Sequence, residues 1–211
     1  MKTLESHRRP FRMSARGLSS YLSLAALILP LVGSQTPPPA NVLVVFHSKT
    51  NRTQQLATAV ADGARHRGAN VRLKSISDTN VEADVLKWAD AIILGSPVHY
   101  GNVAAAVLSW FETAWEPLWT DPRFDGKLGA VFASGGGLAQ GLEHVNSSLQ
   151  RLLASFRIQC LTPAPTRSGY DSYGAVAVTG TAPFDGPMIA DPFVQAGQAL
   201  GALVAGSARH I

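Results

Sequence analysis

The chain has 211 residues, of which 46% are hydrophobic and 15% are charged. This composition is typical of a globular domain with a substantial core and excludes a largely disordered chain. The net charge of +4 belongs to the first 40 residues, because residues 41–211 carry 13 basic and 13 acidic side chains. A nucleic-acid-binding surface is therefore not indicated. Cys160 is the only cysteine, which excludes an internal disulfide and a zinc site built from cysteine pairs.

The first 40 residues have the layout of an export leader and a linker. Arginines precede an apolar, uncharged stretch at 18–32, and small residues follow it. The stretch is shorter than the roughly 20 residues of a membrane-spanning helix, and Pro30 interrupts it. Arg8-Arg9-Pro10-Phe11 resembles a twin-arginine signal, whereas a general secretory signal, an uncleaved anchor or an organelle peptide remain alternatives. We expect an exported protein if the leader is cleaved, and a cytoplasmic one otherwise.

Residues 41–211 alternate between strand and helix patterns. The run Asn41–Phe46 is continuously apolar and β-branched, which is typical of a strand buried on both faces of a parallel sheet. The predicted strands are 41–46, 71–74, 91–95, 128–133 and 158–161, and the predicted helices are 52–67, 83–88, 103–115, 141–155 and 191–206. This alternation predicts an α/β domain with a doubly wound, five-stranded parallel sheet of order 2-1-3-4-5 and helices on both faces.

The first candidate loop follows the first strand and opens a helix. Ser48, Thr50 and Thr53 supply three hydroxyls beside the unpaired backbone N–H groups of the helix start, which together favour a phosphate cradle. The alternative is simple capping of the helix by a hydroxyl. Neither G-x-x-x-x-G-K-[ST] nor G-x-G-x-x-G is present after the first strand, so a nucleoside triphosphate site and a Rossmann dinucleotide site are not indicated.

Two further loops follow the third and fourth strands, where doubly wound sheets bind ligands. Residues 96–102 combine Pro97 and Gly101 with Tyr100, whose ring offers a face for stacking; an ordinary rigid loop is the alternative. Residues 134–137 read Ser-Gly-Gly-Gly and allow the backbone to approach a ligand closely; a flexible loop is the alternative.

The three loops resemble those of a known family. Ser48-x-Thr50-x-x-Thr53 resembles the phosphate loop of flavodoxins. Gly95-Ser96-Pro97-x-x-Tyr100-Gly101-Asn102, Phe132–Gly137 and the late Tyr173-Gly174-Ala175 resemble the WrbA-type NAD(P)H:quinone oxidoreductases. The likeness spans about residues 41–206. Flavodoxin loops usually have glycine where Asn51 stands, and asparagine tolerates a left-handed backbone.

The resemblance implies a flavodoxin-like fold and FMN as cofactor. It assigns the FMN phosphate to Ser48, Lys49, Thr50, Asn51, Arg52 and Thr53. It assigns the isoalloxazine ring to Pro97, Val98, His99, Tyr100, Gly101 and Asn102 on one rim, and to Ser134, Gly135, Gly136 and Gly137 on the other. Trp119 matches a tryptophan that roofs the quinone and nicotinamide pocket. His99 is either a hydrogen-bond donor to the flavin or quinone, or a loop histidine.

The implied activity is two-electron transfer from NAD(P)H through FMN to a quinone, in a protein that we expect to be a homo-oligomer. No side chain need act as a nucleophile, because the flavin carries the chemistry. Two alternatives remain: a flavodoxin-type electron carrier, and a flavin-binding or interaction module without turnover. The zero net charge of residues 41–211 favours the enzyme over a carrier, because carriers commonly steer to their partners with a strong charge field.

Overall fold

The computed structural model describes residues 37–78, 81–164 and 173–209. The predicted leader and linker span residues 1–40, of which residues 1–36 lie outside the described part of the chain. The described strands are β1 (Asn41–Phe46), β2 (Asn70–Ser75), β3 (Ala91–His99), β4 (Asn102–Val103), β5 (Leu128–Gly135), β6 (Gln159–Cys160) and β7 (Ala175–Val178). The described α-helices are α1 (Arg52–His66), α2 (Ala83–Trp88), α3 (Ala105–Trp115), α4 (Leu142–Ser155) and α5 (Asp191–Ala208).

The sheet has the predicted doubly wound arrangement. Its path runs β2-β1-β3-β5-β6, and every pairing along that path is parallel. The crossovers change direction at β1, so right-handed connections place α1 on one face and α2, α3 and α4 on the other. Val42, Leu43, Val44 and Val45 are all buried, as expected for a strand covered on both faces. The predicted flavodoxin-like fold is confirmed.

The fifth strand position differs from the prediction, because two short strands share it. β6 pairs with the start of β5 at Leu128 and Gly129, whereas β7 pairs with its end, from Phe132 to Gly135. The prediction contained only the first of these, at 158–161. β7 carries the fifth strand position as far as the carboxyl end of β5 and so brings the residues after Val178 to the predicted ligand edge.

Close packing of α1 against α5 covers one face of the sheet. A Cβ atom at Gly63 would lie 1.9 Å from the carbonyl oxygen of Gln198, and one at Gly201 would lie 1.9 Å from that of Val60. The two helix backbones are therefore in direct contact. This contact fixes the position of α1, whose first turn forms part of the candidate site.

Candidate functional site

The three predicted loops meet at the carboxyl edge of the sheet. β1, β3 and β5 are adjacent and parallel, and their register pairs Phe46 with Gly95 and Pro97 with Ser134. β3 and β5 are longer than predicted, so Pro97–His99 and Ser134–Gly135 lie on strand ends and not in loops. The structure thus brings together the residues assigned to the phosphate and to both rims of the flavin ring.

The first loop turns sharply into α1. Asn51 has φ 63° and ψ −1°, which is the left-handed conformation that glycine usually provides. Its side chain makes no capping hydrogen bond, while the Ser48 hydroxyl accepts one from the backbone N–H of Gln54, at 3.3 Å. Lys49 and Thr50 are exposed. The loop therefore presents a cation, hydroxyls and a helix N-terminus to one small region, a donor set suited to a phosphate.

Thr53 differs from the other two hydroxyl residues of this loop. It is 1% exposed, and its Oγ1 lies 2.8 Å from the Oγ of Ser134, which is 3% exposed. This buried hydrogen bond joins the start of α1 to the end of β5. In the structure Thr53 holds two of the loops together, and only Ser48 and Thr50 retain accessible hydroxyls.

The second loop is a β-hairpin. Val98 and His99 pair antiparallel with Val103 and Asn102. Between them Tyr100 and Gly101 have φ values of 51° and 77°, as in the type I′ turn that suits two-residue hairpins. The Tyr100 side chain is fully exposed, which leaves its ring available for stacking.

The start of α4 supports this hairpin. The Nε2 atom of His144 lies 3.2 Å from Oδ1 of Asn102. A Cβ atom at Gly141 would lie 2.7 Å from the carbonyl oxygen of Gly101, so the two backbones touch. Neither His144 nor Gly141 was among the predicted site residues. The pairing of Asn102 with a residue 42 positions away leaves no local sequence signal.

The glycine-rich third loop is held by the segment after β7. The backbone N–H of Thr179 donates to the carbonyl oxygen of Gly135 at 2.9 Å, and the Thr181 hydroxyl donates to that of Gly136 at 2.6 Å. The loop is therefore anchored at two carbonyl groups and is not simply flexible. The prediction missed this support together with β7; the short, continuous apolar run Ala-Val-Ala-Val at 175–178 is consistent with a buried strand and is the only local signal for it.

Two histidines face each other at the ends of β1 and β3. The rings of His47 and His99 are nearly perpendicular, with centroids 6.2 Å apart. Burial lowers the pKa of His47, and the proximity of His99 lowers it further. Within the described residues, Nδ1 of His47 and one terminal guanidinium nitrogen of Arg52 are buried and have no hydrogen-bond partner. Buried polar atoms that lack partners, on the segment predicted to hold a phosphate, fit an anionic cofactor group.

Trp119 lies elsewhere in the molecule. Its ring packs edge-on against Phe156, and its carbonyl oxygen accepts a hydrogen bond from Arg157 at 3.1 Å. Phe156 and Arg157 come just before β6, and β6 pairs with the first residues of β5. Trp119 is therefore at the amino edge of the sheet, and the eight-residue strand β5, about 25 Å long, separates this edge from the loops. The predicted role over the substrate pocket finds no support within one chain.

The amino edge has a cavity of its own. It has a volume of about 780 Å³ and is lined by Phe111, Glu112, Glu116, Trp119, Leu152, Ser155 and Phe156.

Within the described ranges no cluster of three His, Cys, Asp or Glu side chains suits a metal ion. No helix in the part of the chain that the structure describes has the length and hydropathy to cross a bilayer. Burial raises the pKa of Cys160 to about 11, so its thiol is neutral and unreactive near pH 7.

Comparison with known proteins identifies the family. The flavodoxin family profile matches residues 44–158, more than half of the chain. The chain belongs to the flavodoxin family. Flavodoxin-family proteins bind FMN, and the predicted cofactor is confirmed on that basis.

Individual relatives include both flavodoxins and enzymes. A flavodoxin of Aquifex aeolicus is 37% identical over 54% of this chain and 60% of its own length. An NAD(P)H dehydrogenase (quinone) of Archaeoglobus fulgidus is 35% identical over 45% and 61%, respectively. Another, from Nitrobacter winogradskyi, is 30% identical over 72% of this chain and 84% of its own. The chain thus spans about three-fifths of the first two relatives.

A solved structure shares the fold. The WrbA-like flavodoxin of Agrobacterium tumefaciens superposes with a TM-score of 0.63 over 81% of this chain and 98% of its own, at 24% identity. Together with the quinone dehydrogenases above, this confirms the predicted WrbA-type resemblance.

Proposed function

We propose that this protein is an FMN-dependent NAD(P)H:quinone oxidoreductase. The observation that carries the proposal is the meeting of three polar and glycine-rich segments at one sheet edge, in a flavodoxin fold whose relatives include NAD(P)H dehydrogenases (quinone). When bound, FMN would supply a two-electron redox centre between NAD(P)H and a quinone. The protein binds and orients the reactants.

The proposed roles follow from the donor set of each segment. Ser48 and Thr50 donate hydroxyl hydrogen bonds to the phosphate, and Lys49, Arg52 and the start of α1 supply positive charge. The hairpin tip at Tyr100 and Gly101 borders the ring on one side. The anchored loop Ser134–Gly137 borders it on the other, where glycines permit close approach of the backbone. Thr53 positions these groups through Ser134.

An electron carrier is the second candidate function. The 37% identity to the flavodoxin of Aquifex aeolicus favours it. The balance of 13 basic and 13 acidic side chains in residues 41–211 argues against a strong steering field and so favours the enzyme. A flavin-binding module without turnover is the third candidate.

Steady-state oxidation of NADH and NADPH with benzoquinone separates the three candidates. We expect the FMN-loaded full chain to oxidise many equivalents of at least one nicotinamide, and the FMN-free chain to oxidise none. A carrier would instead exchange single electrons with an added flavodoxin reductase and leave nicotinamide unoxidised when alone. A flavoprotein that does neither would contradict both redox functions.

We further infer an exported or, if the leader is retained, a cytoplasmic homo-oligomer. The basic residues and apolar stretch of the first 32 residues support the export route. Export of a chain already folded around FMN is the simpler order, because FMN is made inside cells.

A further inference from the structure

His47 and His99 form a pair in which only His99 has a role assigned above, on one rim of the flavin ring. His47 directly follows β1, and its backbone N–H donates to the carbonyl oxygen of Gly95 at 3.1 Å, which places it beside β3. His99 is the last residue of β3. Their ring centroids are 6.2 Å apart, and the rings meet edge to face. Both side chains are half-buried at the edge where the phosphate loop begins.

The surroundings of the pair are poor in negative charge. Lys49 and Arg52 on the same loop are cations, and His144 on α4 bonds Asn102. The acidic residue on the neighbouring turn after β2, Asp78, accepts a hydrogen bond from the backbone N–H of Ser75 at 3.0 Å.

Among the described residues, only His99 acts electrostatically on His47, and it disfavours the charged form. The titratable Tyr100 is fully exposed. Without an anion, His47 is therefore neutral at pH 7.

An anion at the loop would reverse this preference. A nearby negative charge favours the protonated form of an imidazole, and the buried Nδ1 atom of His47 would gain an electrostatic partner. A phosphate monoester is almost entirely a dianion above pH 7, because its second pKa is about 6. Two negative charges near His47 can offset the two effects that disfavour its imidazolium form, burial and the proximity of His99.

We propose that His47 and His99 act as one proton acceptor, which takes up a proton from solvent when the FMN phosphate binds at Ser48–Thr53. The proton binds an imidazole nitrogen of the pair, and no other bond changes. The inference rests on the proposed placement of the phosphate. By linkage, a site that gains a proton on binding FMN binds FMN more tightly as the pH falls. The pair would thus make cofactor affinity depend on pH near neutrality, the range in which histidine titrates.

Isothermal titration calorimetry tests the proton uptake directly. FMN is titrated into the cofactor-free full chain at pH 7.5, in two buffers of different ionisation enthalpy. We expect uptake approaching one proton per FMN, and none with riboflavin, which lacks the phosphate.

The dissociation constant of FMN should rise by up to about tenfold per pH unit above pH 7, the limit for one linked proton. His47→Asn and His99→Asn should each abolish most of the uptake. His66→Asn, on the far end of α1, should retain it.

The outcomes distinguish this inference from the proposed function. FMN binding without proton uptake, or with uptake equal in His47→Asn and the wild type, would overturn the inference and leave the FMN site intact. If the full chain does not bind FMN at all, the proposed function fails. If the histidine variants do not bind FMN, imidazole NMR titrations of the wild type decide. A pKa of His47 or His99 that rises on FMN binding supports the pair, and unchanged values of both contradict it.

Discussion

The hydroxyl oxygens of Thr53 and Ser134 lie 2.8 Å apart and are shielded from solvent, although the residues are 81 positions apart in the chain. Thr53 lies in the first turn of α1, and Ser134 lies near the end of β5. One hydrogen bond therefore fixes the phosphate loop relative to the glycine-rich loop. Removing either hydroxyl leaves the other buried and without its partner, which is costly because water cannot replace the lost hydrogen bond.

This pair predicts a coupled loss of stability. Thr53→Val and Ser134→Ala should each lower the free energy of unfolding by about 1–3 kcal/mol, the cost of an unsatisfied buried hydroxyl. The double variant should lose less than the sum of the two, because no hydroxyl then remains unpaired. Urea denaturation of the cofactor-free chain measures all three values. Thr58→Val, on the exposed face of the same helix, should change stability by only about 0.5 kcal/mol. Strict additivity would show that the two hydroxyls do not interact.

The phosphate loop predicts a selective loss of FMN affinity. Ser48→Ala and Thr50→Ala each remove a hydroxyl that is free to donate to the phosphate. Each lost hydrogen bond to a charged group costs about 1.5–3 kcal/mol, so the double variant should bind FMN at least about 100-fold more weakly. Quenching of flavin fluorescence measures the affinity. Riboflavin serves as the control, since its affinity should not change. An equal loss for both flavins would indicate a damaged fold, and no loss for FMN would place the phosphate elsewhere.

Much of this architecture was predictable because its signals are local. The buried strands β1, β3 and β5 are apolar runs, and the loops after them carry the polar and glycine residues of the site. The left-handed conformation of Asn51 follows from its place in a phosphate-loop pattern. The order of the strands follows from the alternation of elements and the handedness of crossovers.

The remaining features depend on contacts between distant segments. β7 has only four residues, and it forms a strand by pairing with residues of β5 that lie 43 positions earlier in the chain. The hairpin turn at Tyr100-Gly101 lacks the Asn-Gly or Asp-Gly signal of a type I′ turn, and Gly141 supports it from another element. For Trp119, the resemblance rested on matching a tryptophan in the sequence. Its position in the fold is set by packing against Phe156.

The contact between Gly141 and the hairpin predicts an effect of a single methyl group on FMN binding. Gly141 has φ 106°, and a Cβ atom would press on the carbonyl of Gly101. Gly141→Ala should therefore displace the hairpin at an overpacking cost of roughly 1–3 kcal/mol. This cost should raise the dissociation constant of FMN by about tenfold. Gly126→Ala is the control, because Gly126 has φ 77° at the amino edge with open space around it. It should lower the melting temperature and leave FMN affinity unchanged. Equal FMN affinities in the two variants would contradict the supporting role of α4.

The leader predicts a dependence of export on its two arginines. A twin-arginine signal requires both arginine side chains. The variant in which Arg8 and Arg9 are replaced by lysine should therefore stay inside the cell, with FMN bound. Cell fractionation with flavin fluorescence measures this distribution. Lys2→Arg, at the start of the same leader, should export normally. A double variant that still reaches the exported fraction at the normal rate, with FMN bound, would reject export of the folded protein.

Trp119→Ala separates the position of this tryptophan from the role that the resemblance assigns to it. Trp119 is 53% exposed and lies at the edge of the sheet opposite the cofactor loops, so we expect the dissociation constant of FMN to stay unchanged. Loss of its packing on Phe156 should lower the free energy of unfolding by about 1–3 kcal/mol. Trp88→Ala, on α2 beneath Arg72, provides a control for the loss of a half-buried indole.

The Michaelis constant for benzoquinone is the deciding measurement for Trp119. If the substrate pocket is built from one chain, this constant should be the same in Trp119→Ala, Trp88→Ala and the wild type, because a side chain at the opposite edge of the sheet contacts neither reactant. A constant that rises in Trp119→Ala alone, at unchanged FMN affinity, would contradict that expectation. Trp119 would then have to reach the reactants from a second copy of the chain. Sedimentation of the wild type under assay conditions would have to show an oligomer.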